Sequence, residues 1–301
     1  MRITFKKILR NYQLYLLIMP TFLYFIIFKY IPMYGILIAF KDYSPTKGII
    51  GSPWVGFKYF EDFFNSFNFW DLIKNTVYLN IFQLIVTFPL PIIVALMLNE
   101  LPNEKIKKTI QTILYAPYFI STVVLVGMMY VFLSPSSGII NKIIQAISGN
   151  TIDFFATPGW FRPLYVLSSA WQGTGWGTVV YMAALSSVDP QLHEAAIVDG
   201  ASKFKRTIVI DIPAIMPVII IQLILALGNI MNVGFEKAYL MQTPLNLDVS
   251  EIIQTYVYKL GLLQAQYSFS TAVGLFNSVI NFILLIIVNW IVKKFSETSL
   301  W

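Results

Sequence analysis

The sequence predicts an all-α integral membrane protein with six transmembrane helices. Three observations lead there. Of 301 residues, 57% are hydrophobic and only 12% are charged, whereas a soluble domain carries about 25% charged residues. The mean hydropathy is +0.68. Six stretches are also apolar over the roughly 20 residues a helix needs to cross a bilayer: Tyr12–Phe40, 75–99, 110–133, 163–188, 212–235 and 271–292.

The first stretch follows Arg2, Lys6, Lys7 and Arg10, as a secretory signal would. It runs well past a 7–15-residue signal core and no A-x-A site follows, so it reads as an uncleaved first span. Pro20, Lys29 and Pro32 make it irregular, and its second half is expected to leave the membrane. In the second stretch, Pro89 and Pro91 predict a bend whose freed backbone groups need neighbouring helices or water. Between spans, Ile139, Ile140, Ile143, Ile144 and Ile147 recur with helical period, giving an amphipathic segment in 138–148; 251–264 is similar. With the N-terminus inside, the inner segments 1–11, 100–109, 189–211 and 293–301 hold twelve basic residues. The longer outer segments 41–74, 134–162 and 236–270 hold eight. This excess of inner charge predicts a multi-pass chain with both termini cytoplasmic. The net charge of +6 therefore has no need of nucleic acid as a partner.

Several chemistries are missing. There is no cysteine, which removes disulfides and thiolate sites. No glycine is followed by lysine, so there is no G-x-x-x-x-G-K phosphate cradle. Gly173, Gly175 and Gly177 form an incomplete glycine loop at membrane depth, and small residues there suit close helix packing. His193-Glu194 opens like the zinc motif H-E-x-x-H, but Ile197 holds the fifth position and the chain has no second histidine. A metal site needs three or four converging ligands, so no resident metal or catalytic triad is expected. Spans two to six carry no Asp, Glu, Lys, Arg or His between their ends, which argues against a proton- or ion-coupled carrier. Their polar residues are neutral: Asn80 and Gln83, Trp171, Gln172, Trp176 and Tyr181, Gln222, Asn229 and Asn232, Asn277, Asn281 and Asn289. Singly these groups serve as helix glue, at about 0.6 kcal/mol per contact. Together they suit a wet path for a neutral, hydroxyl-rich solute.

The polar cassette QLHEAAIVDGASKFKRTIVIDIP, residues 191–213, lies between two greasy stretches. Asp189 and Pro190 are a good helix start, Gly200 permits a sharp turn, and a second helix runs through Lys203, Phe204 and Arg206. The shape is a helix–turn–helix with alanines at its centre, suited to docking another protein's surface.

Glu194, Ala195, Ala196, Asp199, Gly200 and Ala201, followed by Phe204, Ile210 and Pro213, resemble the EAA motif of membrane subunits in bacterial ATP-driven (ABC) importers. The stretches 35–60 and 75–101 are similar to the polysaccharide branch of the sugar permeases. The resemblance covers nearly the whole chain. It implies a type I importer permease fold in one transmembrane domain, 1–301, with 189–211 as the coupling-helix loop. It further implies a non-catalytic subunit importing oligosaccharides by alternating access across a bacterial cell membrane. The implied partners are a second, related permease, two ATPase subunits that carry ATP and magnesium, and an extracellular solute-binding lipoprotein. By the same resemblance, Glu194 pairs with a basic group of the ATPase, and Ala195, Ala196 and Gly200 give the tight fit. A permease for a different solute, or a membrane enzyme using Asp153, Glu236 or Glu251, are the rival readings; those acids are scattered and form no motif.

Overall fold

The computed structural model describes residues 12–232 and 234–295. Arg2, Lys6, Lys7 and Arg10, on which part of the expected orientation rests, lie outside the described residues. The chain divides into two compact units, one comprising 12–66 with 257–276 and the other 67–256 with 277–295 of the described residues.

In the first unit, α1 (Tyr12–Phe40) is continuous. It passes from α-helix through a π turn at Ile26–Tyr30 to a tighter 3-10 helix at Ile31–Phe40. The change of winding falls beside Lys29 and Pro32, where the sequence is irregular. Ala39 is its only buried residue, as fits a helix that is apolar all round and faces lipid. An antiparallel bridge between Lys41 and Trp54 then closes a loop whose carbonyls at Ile49 and Ile50 accept from Lys41 Nζ (2.7 and 3.1 Å). A short helix, α2 (Lys58–Phe64), buries Phe63 against Phe269 and Phe276.

The second unit is a helical bundle built on α3 (Phe69–Asn99), α4 (Glu104–Phe119), α5 (Thr122–Phe132), α6 (Ile139–Ser148) and α7 (Pro158–Leu185). The cassette helix α8 (Pro190–Val198), α9 (Lys203–Gly228), α10 (Phe235–Met241), α11 (Ile253–Tyr258) and α12 (Tyr267–Phe295) follow. The first turns of α12 belong to the first unit and the rest to the second. Among the described residues, four helices (α1, α3, α9 and α12) are long and apolar enough to cross a membrane, and the α4–α5 pair makes a fifth if taken as one span. At 28 residues α7 is about 42 Å long, longer than the roughly 30 Å hydrocarbon core, and its interior polar residues are what lower its apolarity.

Two expected spans change shape. The stretch 110–133 is not one straight helix, because α4 and α5 meet at 95°. Pro117 leads the last turn of α4, and the Ser121 hydroxyl accepts from Val124 N as the cap of a new helix. The stretch 212–235 stays helical only to Gly228, and an amide cluster described below holds the chain beyond it. The core lies along α7. Leu79, Val126, Phe161, Tyr165, Val166 and Ile252 cluster towards its start, and Ala95, Tyr181, Leu185 and Ile215 towards its end. A Cβ at Gly175 would overlap the Leu114 carbonyl, and one at Gly177 would press on Pro91, so these two glycines set how closely α7 approaches α4 and α3. Gly173 has open space.

Candidate coupling helix and translocation site

The cassette folds through local capping. Asp189 accepts from Gln191 N at 2.9 Å, and Pro190 occupies the first turn, where its missing N–H costs nothing. At the other end Gly200 adopts φ +75°. Ala201 N donates to Ala196 O (2.9 Å) and Gly200 N to Ile197 O (3.0 Å), the paired bonds of a Schellman ending. Ser202 then caps α9, accepting from Lys205 N at 3.3 Å. Gly200 meets nothing of its own chain within 4 Å of a built Cβ, so backbone conformation, rather than internal crowding, calls for glycine here.

No described residue covers the cassette's outward face. Val198 is 87% and Phe204 76% exposed, and Leu192, Glu194, Ile197 and Asp199 are also exposed. Glu194 has no ionic or hydrogen-bonded partner among the described residues. The inward side is bolted down. His193 Nε2 lies 3.2 Å from Asp211 Oδ1, and Asp211, at the foot of α9, is 1% exposed. No hydrogen bond reaches either Asp211 oxygen, so His193 is the one group in ion-pair contact with it among the described residues. Thr207 Oγ1 donates to Glu100 Oε1 (3.4 Å) and Lys203 Nζ is 3.9 Å from Glu100 Oε2, tying the cassette's return to the end of α3. A groove of about 500 Å³ beneath it is lined by Met97, Glu100, Phe204 and Ile208.

At membrane depth, α3, α7 and α9 enclose a pocket of about 380 Å³ that brings together three sequence candidates, Trp176, Tyr181 and Gln222, with Thr87 and Pro91. Trp176 stacks on Tyr118 (4.8 Å between centroids, 9° between planes). The other candidates are not gathered there. Gln172 Nε2 donates to Ile120 O (2.7 Å) at the α4–α5 corner, and Asn80 Nδ2 to Thr76 O on its own helix. Asn232 donates to Asn229 Oδ1 (2.7 Å) and accepts from Asn277 (3.1 Å) and Gln254 (3.2 Å), while Asn281 Oδ1 accepts from Met231 N (3.0 Å). Asn281, with Gln254 Nε2 donating to Met231 O (2.6 Å), thereby satisfies both backbone groups of Met231 in the non-helical chain after Gly228, as backbone removed from water requires. Gln83 and Trp171 do not line the pocket.

Sequence reasoning missed a buried cation. Lys237, on α10 in a segment expected outside, is 6% exposed. Its Nζ donates to Tyr165 O (3.0 Å) and Ser169 Oγ (2.7 Å) and lies 4.9 Å from the Tyr165 ring centre. Burial, with no acid in ion-pair range among the described residues, pulls its pKa down to about 7. The unfolded chain therefore holds a proton here that the folded chain has lost between about pH 7 and the ordinary lysine value of 10.5. Stability should rise with pH through that window. Melting curves of the purified complex at pH 7 and 9 should show this rise, and Lys237→Met should flatten it. An unchanged pH response in the variant would contradict the assignment.

A bundle of long apolar helices joined by an exposed, locally capped helix–turn–helix defines a multi-helical membrane protein. The chain belongs to the binding-protein-dependent transport system inner membrane component family, whose profile matches residues 87–297. It is a membrane-embedded transporter permease subunit and not a catalytic enzyme. It is 49% identical over 292 residues to protein LplB of Bacillus subtilis (strain 168), covering 97% of this chain and 92% of that one. It is 45% identical over 295 residues to the polygalacturonan/rhamnogalacturonan transport system permease protein YteP of the same organism, covering 98% and 92%. A crystal structure of a bacterial ABC transporter involved in import of the acidic polysaccharide alginate matches with TM-score 0.89 at 39% identity, over 96% of this chain and 98% of that one. The alginate transporter in complex with an alginate pentasaccharide-bound periplasmic protein matches with TM-score 0.90 at 38% identity, over 99% of each chain. This is the type I importer permease fold expected from the sequence.

Proposed function

We propose that this chain is one permease of an oligosaccharide importer, working by alternating access as a single permease domain with both termini in the cytoplasm. Its partners are a second, related permease, two ATPases and an extracellular solute-binding lipoprotein. ATP and magnesium belong to the ATPases, and this chain binds no cofactor of its own. The observation that carries this reading is the cassette, outwardly bare at Glu194, Val198 and Phe204 and inwardly tied to α3 and α9. The same two helices, with α7, line the Trp176–Tyr181–Gln222 pocket. A push on the knob therefore reaches the pocket walls through packed, hydrogen-bonded elements. ATP on the partners biases the two states only through their different affinities for it, and the knob passes on that bias. The neutral donors and the Trp176 face suit sugar hydroxyls and rings, and the polysaccharide systems among the relatives support that substrate class.

The test is reconstitution of the four-subunit complex with its binding protein. Uptake should require ATP, and Glu194→Lys should uncouple ATP hydrolysis from uptake by about tenfold or more, the effect of losing a charge-assisted contact of about 1.5–3 kcal/mol. An acidic residue placed at the facing position of the ATPase should restore it. Full uptake in the Glu194→Lys complex would remove the coupling role.

A further inference from the structure

The end of the bundle opposite the cassette holds a pocket of about 570 Å³ between the first turns of α3 and the start of α7. Trp70, Lys74 and Tyr78 line it at four-residue intervals, and so share one face of α3. Trp70 is 67% and Tyr78 59% exposed. Arg162 completes the wall, its guanidinium carbon 4.5 Å from the centre of the Tyr78 ring. Arg162 Nη2 donates to Asn75 Oδ1 (2.9 Å), and the Asn75 amide donates in turn to Asp248 O (2.8 Å) and Glu251 O (3.2 Å). The guanidinium plane is thus fixed by stacking on one side and an anchored amide on the other. Its Nε is buried and has no hydrogen-bond partner. Among the described residues no carboxylate lies in ion-pair range of Arg162 or Lys74, although Asp71 also lines the pocket.

With Nη2 held by Asn75 and Nε buried, the rigid guanidinium keeps Nη1 for a charge-assisted hydrogen bond to a carboxylate. An exposed indole and phenol beside it offer apolar faces for a sugar ring. We infer that this pocket binds a carboxylate-bearing sugar unit of an acidic oligosaccharide at the outer mouth of the permease. This rests on the reading of the chain as an oligosaccharide permease with its cassette in the cytoplasm. Arg162 sets the preference for acid, Lys74 adds long-range attraction, and Trp70 stacks on the ring.

The test is equilibrium binding to the complete transporter in phosphatidylcholine vesicles, without binding protein or ATP. The probes are trigalacturonate and the neutral galactotriose. Wild type should favour the acidic probe about tenfold or more, the worth of one charge-assisted hydrogen bond. Arg162→Gln should lose about that factor for trigalacturonate and less than about twofold for galactotriose, and Arg162→Lys should recover only part because lysine lacks the planar group that Tyr78 and Asn75 hold in place. Arg162 also braces Asn75, so Lys74→Gln, which removes an exposed side chain, provides a second arm. It should weaken acidic binding about threefold and flatten its salt dependence. Equal wild-type affinity for both probes overturns the inference and leaves the import reading standing, as does equal loss of both in the Arg162 variants. Competition by phosphatidylglycerol vesicles that abolishes acidic binding would make the pocket a lipid-headgroup site and overturn it too. A reconstituted complex that takes up neither probe removes the import reading as well.

Discussion

Replacing Gly200 by valine is expected to cut ATP-driven uptake by about thirtyfold or more while leaving the membrane bundle folded. The reason is conformational. Gly200 sits at φ +75°, where a β-branched residue costs of order 2 kcal/mol, roughly thirtyfold in the population of the native turn. A Cβ there meets nothing of its own chain within 4 Å, so the penalty falls on the Schellman turn and not on the core. The cassette would tilt α8 against the return helix and misplace Val198 and Glu194 together. Asparagine tolerates the left-handed region better than other residues, so Gly200→Asn should retain most uptake if turn shape is what matters. Asparagine failing as badly as valine would show that the ATPase surface needs the missing side chain itself. Normal uptake by the valine variant, with normal expression and melting temperature, would refute the cassette's role.

Removing the imidazole of His193 should cost about a tenfold loss of uptake together with a lower melting temperature. Asp211 is buried at the base of α9 and His193 is its ion-pair partner. Leaving a buried carboxyl without its polar partner costs about 1–3 kcal/mol, and His193 is itself partly exposed. A loss of roughly 2 kcal/mol is expected on that basis. A double-mutant cycle with Asp211→Asn separates this pair from general damage. Once the carboxylate is neutral, His193→Ala should cost little, giving a coupling energy of about 1–2 kcal/mol. If the two substitutions simply add, within about 0.5 kcal/mol, the contact transmits nothing. The cycle should be read in both uptake and thermal stability, since a merely structural tie would move only the latter.

Much of the cassette was legible in advance because its determinants are local. Asp189-Pro190 starts a helix, Gly200 ends one and Ser202 caps the next within a few residues each, and all three act as their chemistry requires. The spans were legible because water, and not the rest of the fold, decides which stretches are too apolar to stay exposed. The two spans that changed shape show where this ends. Pro117 and Ser121 could bend a helix or merely decorate it, and the packing of α7 on the corner, with Gln172 holding Ile120 O, settles the matter.

By itself the sequence determined that this is a multi-helical membrane protein with a compact helix–turn–helix cassette, since hydrophobicity, capping and turn propensity are short-range properties. Only the tertiary structure decided which polar groups meet. It separated the Trp176–Tyr181–Gln222 pocket from the amides that clasp the chain after Gly228. It buried Lys237 against Tyr165, 72 residues away, and stood Arg162 over Tyr78. The helical period places a residue on a face but does not say how the helix is rotated. That rotation follows from the mutual packing of α3, α4, α7 and α9, where Gly175 sets the approach of α7 to α4 and Gly177 its approach to α3, and no local stretch encodes it.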